Sequence, residues 1–345
     1  MNNFSDSNDK YNNLIISNDS TKICYSYDRI IKEILLKKGL IKKISNKIGL
    51  LLISIKGMIL FLSLVLSFIL KFIWGSKGNL NDYAIAYYLG SGFLLTFSIL
   101  FPMFLILRYK ELNSSVSKVL LFNKLDRNYM IALFFFGISI CMIANILTYI
   151  FTMFMSVFGV ELSNPSEIYS NSPLSIFLMI FTNSVIPAIF EEFLFRGVIL
   201  GAFRRFGDFF AILISSILFS TMHNSLIQIP FSLIVGLALG FIVVKTTSLI
   251  PAILIHFGNN FISCLMEIVS HNVNESLGNL TFIVLICCLI ILGIFSMLYL
   301  GQYTNFFEVW GHYGKLSLKD KMICFISSPT IIIFIILDIL VLSFV

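Results

Sequence analysis

Charge is scarce in this chain. Of its 345 residues 12% are charged and 58% hydrophobic, and mean hydropathy is +0.94. No soluble domain of useful length can be drawn from such a composition. Cysteine offers no framework either. Cys24, Cys141, Cys264, Cys287, Cys288 and Cys324 are scattered without a C-x-x-C pair, which argues against a disulfide scaffold or a cysteine zinc site. There is no internal repeat, no heptad pattern and no Gly/Pro-rich linker to divide the chain. Residues up to about Tyr27 are rich in Asn, Ser and Asp and lack the basic-then-apolar order of a signal peptide, so they read as a disordered cytoplasmic tail.

What the chain has is long apolar blocks. About 20 apolar residues suffice to cross the hydrocarbon core as a helix, and nine blocks qualify: near Leu50–Ile73, Ala84–Leu107, Tyr129–Val157, Pro173–Phe203, Phe209–His223, Pro230–Val244, Ser248–Met266, Leu280–Leu300 and Met322–Val345. The expected fold class is all-α, a polytopic transmembrane helix bundle of about nine spans. The loops alternate in sign. Arg29, Lys32, Lys37, Lys38, Lys42, Lys43 and Lys47 precede the first span; Arg108, Lys110, Lys118, Lys124 and Arg127 follow the second. Arg204, Arg205, Lys245, Lys315, Lys319 and Lys321 continue at every second loop, whereas Lys77, Glu161, Glu167, Glu267 and Glu275 occupy the others. The positive-inside rule then puts the N-terminus in the cytoplasm and, with nine spans, the C-terminus outside; the expected location is the plasma membrane. The net charge of +6 reports topology, and no nucleic-acid partner is implied. Residues 29–47 place Ile30, Ile31, Ile34, Leu35, Ile41 and Ile44 near one face opposite lysines, as in a helix lying on the membrane surface. Lys56 and Lys71 are expected to snorkel, and Asp338 to hydrogen-bond between helices.

Against this background three polar signatures stand out: Glu191-Glu192-Phe193-Leu194-Phe195-Arg196, Phe219-Ser220-Thr221-Met222-His223 and His256-Phe257-Gly258-Asn259-Asn260. Isolated charges at membrane depth cost roughly 2.5–3.5 kcal/mol each on insertion scales, so such a cluster has to be paired. Helical rise sets Glu191 and His223 roughly 20 Å, and His256 roughly 12–17 Å, from the same basic membrane face. Glu192 and Arg196 are four apart and share a helix face, which allows an ion pair. Glu191 is turned about 100° away and is left to point at another helix. Four-residue spacing also aligns His223 with Phe219 and His256 with Asn260. A carboxylate, two imidazoles and a carboxamide can thus converge beside an aromatic wall. Pro187, one turn before Glu191, removes a backbone hydrogen bond to the Asn183 carbonyl and invites a kink. His271 and His312 fall in loops without such neighbours.

Other intramembrane chemistries match poorly. H-E-x-x-H is absent, as are nucleotide-binding glycine patterns. Gly90-Ser91-Gly92 lacks the fuller motif of rhomboid proteases and fits close helix packing, and neither Asp208 nor Asp338 sits in a presenilin-like motif. The order E-E-x-x-x-R, F-x-x-x-H, H-x-x-x-N instead resembles the CPBP family of intramembrane proteases, also called Abi. That family includes the type II CAAX prenyl endopeptidases and bacteriocin-immunity relatives. The resemblance covers about Pro173 to Met266.

It implies an intramembrane endopeptidase acting on a membrane-associated peptide or protein within the lipid bilayer. Glu191 would activate water, His223 would hold that water, His256 and Asn260 would stabilise the oxyanion, and Glu192 with Arg196 would organise the site. A zinc ion, if used, would take Glu191, His223 and His256 as ligands; the glutamate route is preferred, because ligation consumes the most evident base. Two other classes stay open: a non-proteolytic immunity or scaffold protein, and a proton-coupled transporter using the intramembrane carboxylates. The expected division is residues 1–47 as tail and interfacial helix, 48–165 as N-terminal spans, 166–270 as catalytic helices and 271–345 as C-terminal spans.

Overall fold

In a computed structural model of the chain, the described residues are 6–74, 79–109, 123–160, 162, 168–303, 306–308 and 316–344, with the side chains of 6–29, 74, 275 and 343–344 set aside. Lys77, Lys110, Lys118, Glu161, Glu167, His312 and Lys315 lie outside them, as do the side chains of Cys24, Arg29 and Glu275. The described residues form helices and connecting turns, without a strand.

The ten helices are α1 (Asp6–Trp74), α2 (Leu80–Ile106), α3 (Arg127–Val157), α4 (Pro173–Phe206), α5 (Asp208–Thr221), α6 (Gln228–Thr246), α7 (Ile250–Asn272), α8 (Glu275–Leu300), α9 (Leu318–Ile326) and α10 (Pro329–Phe344). The nine expected apolar blocks are helical over most of their described residues. Among the described residues, seven helices are long and apolar enough to span, and α9 with α10, bent by 73°, make an eighth if they count as one. The last block breaks at Ser327-Ser328-Pro329 because Pro329 cannot donate to the preceding turn and sets a new helix start. Outward faces are apolar, with Phe61, Leu64, Phe68, Phe295 and Leu298 all exposed; only a hydrocarbon surround makes such a surface favourable.

Two expectations for the N-terminal region are corrected. Helix runs from Asp6 without a break into the first span, where an irregular tail to Tyr27 was anticipated. The apolar face of 29–47 also finds protein instead of lipid headgroups: Ile41 and Ile44 are fully buried in a core shared with Phe325 of α9 and Ile331 and Phe334 of α10. An amphipathic face satisfies the same apolar pattern against a membrane or against another helix, and here α9 and α10 supply the partner.

That first core also takes in Leu194–Phe203 of α4 and Phe210–Phe219 of α5. A second core joins α3, α6, α7 and the end of α8 through Leu133, Met142, Leu239, Val243 and Ile255. The functional signatures lie where these two cores meet. Close approach there depends on glycine. A Cβ on Gly236 of α6 would sit 3.0 Å from Ser216 Cβ of α5, and one on Gly258 of α7 would sit 2.8 Å from the Phe134 ring of α3, so larger residues would push the helices apart.

Candidate active site

Helix α4 carries the acidic signature, and its backbone is irregular on both sides of it. Five residues of π-helix (Phe181–Val185) precede Pro187, and eight more (Phe193–Leu200) contain Arg196. Such bulges recur at functional sites because they re-aim side chains. Pro187 has no N–H to give the Asn183 carbonyl. Asn260 Nδ2 of α7 donates to that oxygen at 3.1 Å, so a gap opened by one helix is filled by a carboxamide from another.

Glu192 and Arg196 are both completely enclosed. Arg196 Nη1 donates to Glu192 Oε1 at 2.7 Å, Arg196 Nη2 donates to the Gly236 carbonyl at 3.3 Å, and the guanidinium lies 4.4 Å from the centre of the Phe219 ring. His256 Nδ1 reaches the same Glu192 oxygen at 2.8 Å. Because a carboxylate only accepts, that nitrogen is the protonated one, and the tautomer is fixed with Nε2 directed onward. Nε2 lies 3.9 Å from Glu191 Oε2. This is too far for a direct hydrogen bond and within the span of one bridging water. Glu191 itself is 20% exposed, so it has the access that Glu192 lacks.

Phe219 forms the aromatic wall, with its ring centre 4.8 Å from His223 and 6.0 Å from His256, edge-on to both. Helix α5 stops at Thr221, and His223 occupies the turn just beyond it. His223 Nδ1 donates to the Phe219 carbonyl at 2.9 Å, which leaves Nε2 as the free acceptor. On α7, Asn259 Nδ2 donates to Asn260 Oδ1 at 3.2 Å. Asn260 therefore has one amide N–H on Asn183 and a second uncommitted.

All six residues singled out from sequence, Glu191, Glu192, Arg196, His223, His256 and Asn260, come from α4, the turn after α5, and α7, around Phe219. Three details of the arrangement bear on its chemistry. Glu191 has its ion-pair contact with His256 and not with His223. Asn260 is half committed to backbone. And among the described residues no three His, Cys, Asp or Glu side chains converge closely enough to hold one ion, so the set Glu191, His223 and His256 is not assembled as a zinc site in this geometry. His271 is also corrected: it ends α7, pairs with Glu267 at 2.9 Å and stacks on Tyr169.

Asn183, Asn259, Gly236, Lys56 and Asp338 were not tied to the site in advance. Only Asn183 had a signal, the carbonyl freed by Pro187. Lys56 does not snorkel: it forms an ion pair with Asp338, which thereby makes the hydrogen bond between helices expected of it.

Residues 173–262 match the family model described as Type II CAAX prenyl endopeptidase Rce1-like. Among curated proteins, the one named "Putative membrane peptidase YdiL" of Bacillus subtilis (strain 168) is 32% identical over 92 residues, which is 26% of this chain. The alignment spans 38% of that relative's length. No solved structure matches the chain. The matched segment begins with α4 and ends just after Asn260, so it contains every residue of the cluster. Residues 173–262 are thus similar to the type II CAAX prenyl endopeptidases and to a bacterial membrane peptidase, and that similarity falls on the segment that carries the polar cluster.

Proposed function

We propose that the chain is an intramembrane endopeptidase that hydrolyses a peptide bond in a membrane-associated peptide or protein, in CAAX-type processing or in peptide maturation or immunity. The observation that carries this reading is the contrast between two adjacent carboxylates. Glu192 is enclosed and consumed by Arg196 and His256, whereas Glu191 is accessible and faces His256 Nε2 across 3.9 Å.

In this reading a water between Glu191 and His256 gives its proton to Glu191 while its oxygen attacks the scissile carbonyl carbon. The C–N bond then breaks as the Glu191 acid returns that proton to the leaving amine. The oxyanion accepts from the uncommitted Asn260 N–H. In this reading His223 Nε2, left free by the Nδ1 bond to Phe219, accepts from the incoming water. Glu192 acts by holding the His256 ring, as orienting carboxylates do. The protein sits in the plasma membrane with its N-terminus cytoplasmic, so the basic ends of α4 and α6 face the cytoplasm.

Comparative proteomics of membrane peptides from cells carrying the wild-type or Glu191→Gln protein tests this. Glu191→Gln should insert, fold and leave the substrate uncut. Full cleavage by that variant would remove Glu191 as the base, and proton-linked solute flux without cleavage would move the protein to the transporter class.

A further inference from the structure

Polar groups at membrane depth extend beyond the three signatures. Lys56 lies within α1 and Asp338 within α10, with side chains only 10% and 6% exposed. Neither is in the matched segment 173–262. Besides its ion pair with Asp338, Lys56 Nζ donates to the Thr221 carbonyl at 3.3 Å and to Asn224 Oδ1 at 2.7 Å.

These two acceptors flank His223. Helix α5 has 14 residues, about 21 Å of rise, and so ends short of a bilayer core of about 30 Å. The turn beyond it supplies donors to the Leu218, Phe219 and Ser220 carbonyls, whereas the Thr221 carbonyl takes its donor from Lys56, at the negative end of the helix dipole. Lipid offers nothing to satisfy that oxygen. Lys56 brings both an N–H donor and a positive charge to that end from a different helix. Past it the chain reverses through Asn224, whose φ is +50°, a left-handed conformation that Asn tolerates. Its side chain turns to the same ammonium. If the pair served only to pack α1 on α10, Lys56 and Asp338 would need each other alone, and the two bonds to the turn would be superfluous.

We infer that the Lys56–Asp338 pair is a positioning device for His223: Asp338 holds the ammonium, and the ammonium grips the residues on either side of the histidine. Lys56 and Asp338 are positioning residues and touch no substrate. The inference rests on the proposed hydrolytic role of the cluster for its kinetic consequence, but its structural content can be read independently. The sequence has four histidines, so a histidine-selective nitrogen NMR spectrum is simple, and His223→Gln assigns the His223 lines. The wild-type lines should report a proton on Nδ1, held by the Phe219 carbonyl.

Two variants probe the grip. Asn224→Gly removes one acceptor, suits the positive φ and leaves the ion pair intact. Lys56→Met/Asp338→Leu removes both charges together, so no buried charge is stranded. Both should shift or broaden the His223 lines while those of His256 stay in place. On a cleaved peptide, both should lower kcat by about tenfold to a hundredfold with KM nearly unchanged. Unaltered His223 lines in folded Asn224→Gly, or a KM increase at constant kcat, would overturn the assignment. Absence of cleavage by the wild type would instead count against the protease reading, and the spectra would still decide the positioning claim.

Discussion

A single peptide bond separates Glu191 from Glu192, yet the first side chain is 20% exposed and the second 0%. Four-residue spacing was enough to pair Glu192 with Arg196, because i and i+4 side chains meet on any helix. Spacing could not show that His256 would join them on the same oxygen, since that contact crosses 64 positions of sequence. The arrangement makes Arg196 structural as well as electrostatic. Arg196→Ala would leave Glu192 enclosed without its main counter-charge, and it should lower unfolding stability by about 3–5 kcal/mol, read as reduced folded yield and a lower Tm in detergent. Wild-type yield and Tm would show the pairing to be dispensable. Metal content is a separate measurement. If Glu191 activates water without a metal, elemental analysis of purified protein should find no stoichiometric zinc, and chelators should leave cleavage unchanged. One tightly bound zinc per chain, lost together with activity in His223→Ala, would favour the ligand role instead.

At the scale of the element, Pro187 connects backbone to chemistry. Its missing N–H frees the Asn183 carbonyl, and Asn260 takes up that oxygen at 3.1 Å. Replacing Pro187 with Ala restores a donor that competes for the same acceptor. Pro187→Ala should fold, because alanine is the better helix former, but it should cut more slowly as Asn260 loses its anchor. An unchanged cleavage rate would mean the Asn183 bond does not set the position of Asn260. The π-helical stretches on either side of Pro187 could not be foreseen from periodicity, since an inserted residue leaves the apolar count intact and only rotates the downstream side chains. The break between α9 and α10 was more accessible: Pro329 stands in the sequence at the bend, and proline at the start of a helix is an ordinary signal.

Across the whole molecule, α1, α9 and α10 pack against the helices that carry the polar cluster. Thr330 Oγ1 donates to the Asn46 carbonyl at 2.9 Å, a contact spanning 284 positions, and Ile41, Ile44 and Phe334 share one core with α4 and α5. In an otherwise cysteine-free protein, Asn46→Cys/Thr330→Cys should therefore crosslink efficiently on mild oxidation, read as a mobility shift after protease nicking of an intervening loop. No crosslink in the folded protein would put α1 elsewhere. This packing explains the misreading of residues 29–47. Their amphipathic pattern states that one face must leave water, and it does not state whether lipid or α9 and α10 will receive it.

The sequence by itself determined that the chain is a helical membrane bundle, because long apolar runs have few ways to satisfy their backbone in lipid. It also determined which residues form the polar cluster, because charges at membrane depth are costly enough to stand out and must find partners. Tertiary structure alone decided how those partners are shared: Glu192 between Arg196 and His256, Asn260 with a carbonyl released by Pro187, and the turn carrying His223 with a lysine from the first helix and an aspartate from the last. Apart from the Glu192–Arg196 pair within α4, each of these contacts joins separate helices. Their geometry depends on how close the helices can approach, at Gly236 and Gly258 above all, and local periodicity does not encode that distance.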